Sequence, residues 1–148
     1  MIIDTVIALF TRDLNKLKEE ISAYKNESNL WKTDGLVSNS SGNLVLHLIG
    51  NLNHFIGAGL GNTGYIRQRD LEFSVKDVQR SQLIEQIDKT INVLEETLKN
   101  LTVKDLKKEY KYRVFKEPTT TEYFLIHLIM HLAYHLGQIN YHRRLLDQ

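Results

Sequence analysis

Two long stretches without a charged side chain constrain this chain more than any other feature of it. No Asp, Glu, Lys or Arg occurs between Asp34 and Arg67, and none occurs between Glu122 and Arg143. Each stretch holds a segment with helical spacing, and a helix without a charged face is normally covered on all sides. Two other segments are amphipathic. From about Ile3 to Tyr24, Val6, Leu9, Phe10, Leu14, Leu17 and Ile21 form a stripe opposite Arg12, Asp13, Lys16 and Glu20. From about Val75 to Leu101, Val78, Leu83, Ile87, Ile91, Leu94 and Leu98 recur at helical intervals. The economical fold is an all-α four-helix bundle in which the uncharged second and fourth helices lie together.

Punctuation along the chain supports the same division. Ser40 or Ser41 caps a second helix running from about Gly42 to Leu60. Ser74 with Asp77 resembles a capping box for the third. Pro118 and Thr119-x-x-Glu122 supply the start of a fourth, about Thr120 to Leu146. Tyr110 to Phe115 is the nearest approach to a strand, and it is short. The connections, Lys25 to Asn39, Gly61 to Phe73 and Thr102 to Thr119, are long enough to cross the molecule or carry function.

At 148 residues and 42% hydrophobic, the chain can bury one core, so residues 1–148 read as a single domain. With 19 basic and 18 acidic residues the formal charge is +1, which speaks against nucleic acid or an acidic membrane surface as partner. There is no cysteine, so disulfides and thiolate ligands are excluded and any metal must use His, carboxylate or water. Asp4 interrupts the apolar start MIIDTVIALF, which therefore reads as an amphipathic helix rather than a signal peptide. The best membrane-span candidate contains four histidines, so no membrane partner and a cytoplasmic location are expected.

Those four histidines lie in LIHLIMHLAYHLGQINYHRR, Leu125 to Arg144. His127, His131, His135 and His142 fall within less than a quarter-turn of one another around a helix axis. Residues four apart stand roughly 5–6 Å apart at Cβ, so two imidazoles can converge on one ion. His127 and His135 are roughly 12 Å apart along the axis, too far to share one. The pair is therefore His127 with His131, or His131 with His135, and spacing prefers neither. A third ligand must come from elsewhere, and the second helix offers His47 and His54. The bland reading is a set of neutral core histidines, but that many buried imidazoles without a shared partner leaves many nitrogens to satisfy. Ile126, Met130, Ala133 and Gly137 point away from this stripe, and a homodimer contact is expected there.

SSGNLVLHLIGNLNHF, followed much later by HLAYHLGQINYHRR, resembles the DinB-like superfamily of metal-binding four-helix bundles. The likeness runs from about Leu30 to the C-terminus and includes RQRDLEF, similar to the pattern of one subgroup. It implies one ligand in HLIGN of the second helix, His47, and two in HLAYHLGQI of the fourth, His131 and His135. His54, His127 and His142 then become outer or structural groups, and a long crossover joins helices two and three. It further implies a divalent ion, zinc or nickel, and in some members transfer chemistry with a low-molecular-weight thiol.

Three neutral imidazoles leave an ion its full charge, and neither helix shows a nearby carboxylate. Such a centre lowers the pKa of bound water or stabilises a thiolate, suiting hydrolysis or S-transfer on a small-molecule substrate. Asn51, one turn past His47, and Gln138, beside the histidine stripe, are candidates to support the chemistry. Arg67 and Arg69 in the crossover are candidates to receive an anionic group of a cofactor, or else to pair with Asp70 and Glu72. Trp31, Tyr134 and Tyr141 read as packing residues. The competing expectation is a non-catalytic dimeric bundle with a structural metal or none, serving as an interaction module.

Overall fold

In the computed structural model, which describes residues 1–148, α1 spans Ile2–Ser22 and α2 spans Ser41–Gly61. Three further helices are α3 at Arg69–Ser74, α4 at Arg80–Lys99 and α5 at Val103–Lys107, and α6 closes the fold at Thr121–Leu146. There is no strand, only isolated bridges at Asp34–Val37 and Glu109–Thr120. The four long helices α1, α2, α4 and α6 form the expected bundle. α1 packs principally on α4 and α6, while α2 packs on the same two helices and on α3, which puts α1 and α2 on a diagonal.

The amphipathic stripes do what their spacing dictates. α1 buries Ile3, Val6, Phe10, Leu14, Leu17 and Ile21, and α4 buries Leu83, Ile87, Ile91, Leu94 and Leu98. Together with α2 and α6 they make one continuous apolar core. α2 is buried along almost its whole α-helical length. It is also the one helix long and apolar enough to cross a membrane, which the sequence reading missed by considering only the histidine-rich helix. About 61% of that window is buried inside the bundle, as a core helix requires.

α2 and α6 run antiparallel. His47 meets His131 and His135 at one level, while Phe55 meets Phe124 at another, with ring centroids 5.1 Å apart. After Leu52 the helix widens into a π-helical turn over Asn53–Ala58. There Tyr110 donates its hydroxyl to the Phe55 carbonyl at 2.6 Å, satisfying a group that the wide turn diverts from the regular ladder. Gly59 permits this, because a Cβ there would lie 2.5 Å from the Tyr110 oxygen.

One boundary agrees with expectation and others differ. Ser40 is the cap of α2, its Oγ accepting from Asn43 N. The cap of α6 is Thr120, one residue after the expected Thr119, with Tyr123 N donating to it at 3.1 Å. Helix α4 begins at Arg80 rather than near Val75, and no capping box forms at Ser74. Asp77 instead takes a positive φ of 59°, and the chain is extended at Val75 and Gln79. Nor are the long connections bare loops. A 3-10 turn at Glu27–Trp31 occupies the first, α3 the second and α5 the third.

Candidate metal centre

α3 is only six residues long, yet it sets the electrostatics of the centre. Asn43 of α2 holds it by donating to the backbone carbonyls of Glu72 and Val75, at 3.0 and 2.8 Å. Glu72 is thereby laid against Gly50, where an added Cβ would fall within 1.9 Å of its Oε2. Gly50 is glycine because a carboxylate occupies the space of its side chain. From that cradle Glu72 Oε1 sits 3.0 Å from His47 Nδ1. The sequence reading found no carboxylate near the histidines; the structure supplies one from the crossover.

A carboxylate only accepts, so His47 Nδ1 carries the proton and Nε2 presents its lone pair. At His135 the same holds, because Nδ1 lies 2.7 Å from Gln138 Oε1, and Gln138 is itself steadied by its Nε2 donating to the Tyr134 hydroxyl at 3.3 Å. Both Nε2 atoms aim at His131. His131 Nε2 stands 3.2 Å from His47 Nε2 and 3.1 Å from His135 Nε2. Three ring nitrogens therefore converge with two lone-pair directions already fixed by outer partners.

The spacing fits an ion. With metal–nitrogen bonds of roughly 2.0–2.1 Å, tetrahedral ligands stand about 3.3 Å apart and ligands at right angles about 2.9 Å apart; the two separations from His131 fall between. His47, His131 and His135 are the group in this chain that can hold a metal, their ligand atoms lying within 4.8 Å of one another. Two buried side-chain polar atoms lack a partner, His131 Nδ1 on α6 and Asn51 Oδ1 on α2, one turn past His47. A neutral His131 offering Nε2 to an ion carries its proton on Nδ1. His47 is buried, while His131 and His135 are half-buried, so the centre is reachable from the α6 side.

Electrostatics favour neutral imidazoles. Burial, reinforced by His135, His47, His127 and Arg67, pushes His131 down to about 4. Burial likewise lowers His135, against the opposing bond to Gln138. Burial alone would raise Glu72, but its bonds to His47 and Arg67 prevail and hold the carboxyl below its ordinary range. Arg67 grips Glu72 in a two-point fork, Nε to Oε2 and Nη2 to Oε1, each 2.9 Å. Its guanidinium is thus engaged by this protein carboxylate, the pairing with Glu72 that the sequence offered as the alternative to a cofactor's anionic group. Arg69 does not join it; its guanidinium lies 5.3 Å from the Phe73 ring centroid.

The remaining histidines stand apart. His54 stacks on Tyr112 at 5.0 Å, roughly 10 Å along the axis from His47 and too far to share its ion. His127 meets the Phe115 edge at 4.8 Å. His142 is a buried structural group. Its Nε2 donates to the Lys32 carbonyl at 2.9 Å, which leaves Nδ1 to accept from the Tyr24 hydroxyl at 2.7 Å. Tyr134 and Tyr141 prove exposed rather than packed, whereas Trp31 does pack, lying against Gly42.

An antiparallel all-α bundle with three imidazoles meeting across two helices defines the class: a helical-bundle protein with a candidate three-histidine metal centre. The chain belongs to the family described as protein of unknown function, DUF1572, whose pattern matches residues 3–148. No curated protein matches it. Its fold is similar to the crystal structure of a conserved protein from Enterococcus faecalis. That likeness has a TM-score of 0.77 over 97% of this chain and 95% of the other, at 14% identity. Such low identity speaks for the fold alone.

Proposed function

We propose that the chain is a divalent-metal-dependent enzyme in which His47, His131 and His135 hold zinc or nickel and vacant coordination positions admit a nucleophile. The observation that carries this reading is the approach of His131 Nε2 to the Nε2 atoms of His47 and His135, at 3.2 and 3.1 Å, with Glu72 and Gln138 fixing two tautomers from behind. The resemblance of HLIGN and HLAYHLGQI to the DinB-like motifs supports the same three residues.

A divalent ion held by neutral imidazoles supplies Lewis acidity, enough to favour the ionised form of a water or low-molecular-weight thiol for hydrolysis or S-transfer. The protein's own groups do the rest. Glu72 keeps His47 in the tautomer that offers Nε2, and adds negative character behind that ring. Arg67 keeps Glu72 ionised and stationary. Gln138 orients His135, and Asn51, one turn past His47, offers a buried acceptor that no protein group uses. Elemental analysis of protein purified without a metal-affinity tag tests the reading: about one zinc or nickel per chain is expected, and its absence from wild-type protein, or its retention by His131→Ala, overturns it.

A second reading, a dimeric interaction module, draws on the outer face of α6. Met130 is 66% and Ile126 42% exposed, and Ala133 and Gly137 continue the same uncharged stripe. We propose that a second copy of the chain covers this stripe. Sedimentation at micromolar concentration should then give a dimer, and Met130→Asp a monomer; a wild-type monomer would remove the idea.

A further inference from the structure

Beside the histidines, the groove between α2 and α6 opens into a cleft of about 550 Å³. Its position follows from the helix register. On α6 the stripe that carries His131 and His135 continues through Gln138, His142 and Leu145, and these three line the cleft. On antiparallel α2, the next inward residue one turn before His47 is Leu44, and it lines the opposite side. Gln138 belongs to both regions, since it walls the cleft and holds His135 Nδ1. The cleft is therefore a continuation of the metal centre along α6, its middle near His142 lying roughly 10 Å from His135 at 1.5 Å per residue.

The lining is chemically one-sided. Leu36, Leu44, Tyr141 and Leu145 supply an apolar surface, and three of them are heavily exposed, with Tyr141 at 62%, Leu145 at 60% and Leu36 fully so. Asp34 is the only charged lining residue. It lies two residues after Lys32, whose carbonyl meets His142 and whose ammonium donates to the Leu146 carbonyl. Nearby cations are engaged elsewhere: Arg144 lies over the Tyr141 ring and Arg143 pairs with Glu20. Both nitrogens of His142 are satisfied by the protein, so it offers wall rather than charge. A volume of this size, apolar with a few convergent polar groups, is the usual form of a small-molecule site.

We propose that this cleft binds an elongated apolar amine, its ammonium at Asp34 and its alkyl chain lying along Leu44 and Leu145 toward Gln138, the residue that holds His135. The assignment rests on the metal reading only for the end at Gln138; the cleft and its preference for a cation do not require an ion. The test is displacement of the neutral fluorophore N-phenylnaphthylamine from full-length protein, with and without zinc. Octylamine should displace it at roughly fivefold lower concentration than octanoate, the contrast one partly exposed carboxylate supplies. Asp34→Asn should erase that contrast. Leu145→Asp, at an exposed position that leaves folding intact, should weaken fluorophore binding at least tenfold. The same affinities in zinc-free protein support the cleft even if the metal reading fails. Equal displacement by octylamine and octanoate in the wild type, or fluorophore binding unchanged by Leu145→Asp, would overturn the proposal.

Discussion

The seam between α1 and α4 and the seam between α2 and α6 solve opposite problems. The first joins two amphipathic helices through interdigitated aliphatic side chains such as Leu14, Leu17, Leu83 and Leu94, each 1% exposed or less. Polar contacts there are peripheral, as between Lys18 and Asp88 at 2.5 Å or Thr11 and Glu95 at 3.2 Å. The second seam is charge-free in sequence yet polar at its centre, with imidazoles meeting nitrogen to nitrogen. One seam lowers the free energy of the fold by burying methylenes; the other keeps polar groups in a place where only an ion or an outer-shell partner can satisfy them. The contrast teaches that absence of charge on a helix can mark a site as well as a core.

The largest effect that would break this comparison lies in the first seam. Phe10→Ala should cost about 3–5 kcal/mol in chemical denaturation, the usual range for a buried aromatic, while the protein that remains folded keeps its metal. Next, His131→Ala should reduce zinc affinity at least a hundredfold by calorimetry and leave the denaturation midpoint of the metal-free protein almost unmoved. If both variants lose stability and metal alike, the two seams are not separable.

Smaller effects sharpen the contrast. Glu72→Gln should weaken zinc binding by about 10–100-fold, the range for an outer-shell partner of a ligand histidine, and Gly50→Ala should do likewise by displacing Glu72. The metal-free protein should also lose stability in acid. His131 is held down to about 4 from an ordinary 6.5, and His142 is lowered by burial as well. Between those values the unfolded chain binds more protons than the folded one, so stability is full above pH 6.5 and declines as pH falls toward 4. Thermal melts across that interval check the sign. Least of all, Lys18→Ala should shift stability by under about 1 kcal/mol, because a surface pair is screened by water.

Most of the bundle was legible because its helices are long enough for a period to show. α1, α4 and α6 each place apolar residues at three- and four-residue steps, and HLIGN and HLAYHLGQI carry the ligand candidates in plain view. What escaped had no local signature. α3 is too short for periodicity, and Glu72 becomes meaningful only through contacts with Gly50 and His47, more than twenty residues back. For Arg67 the sequence offered both a cofactor anion and Glu72, and only the folded crossover shows the fork to Glu72. The Ser74 and Asp77 pair imitated a cap, but the left-handed turn at Asp77 is chosen by how the crossover must re-enter the bundle, not by adjacent residues. The π-helical turn, likewise, depends on Tyr110 arriving from a distant connection.

The lodging of Glu72 between Gly50, His47 and Arg67 makes the segment from 62 to 79 a reporter of what the histidines are doing. Whatever tightens His47 must also tighten the carboxylate behind it, and with it the strap of chain that delivers that carboxylate. A protease that nicks this strap should therefore cut slowly when zinc is loaded and quickly after chelation, with Glu72→Gln indifferent to either. The surface would then announce occupancy of an interior that no probe has to enter.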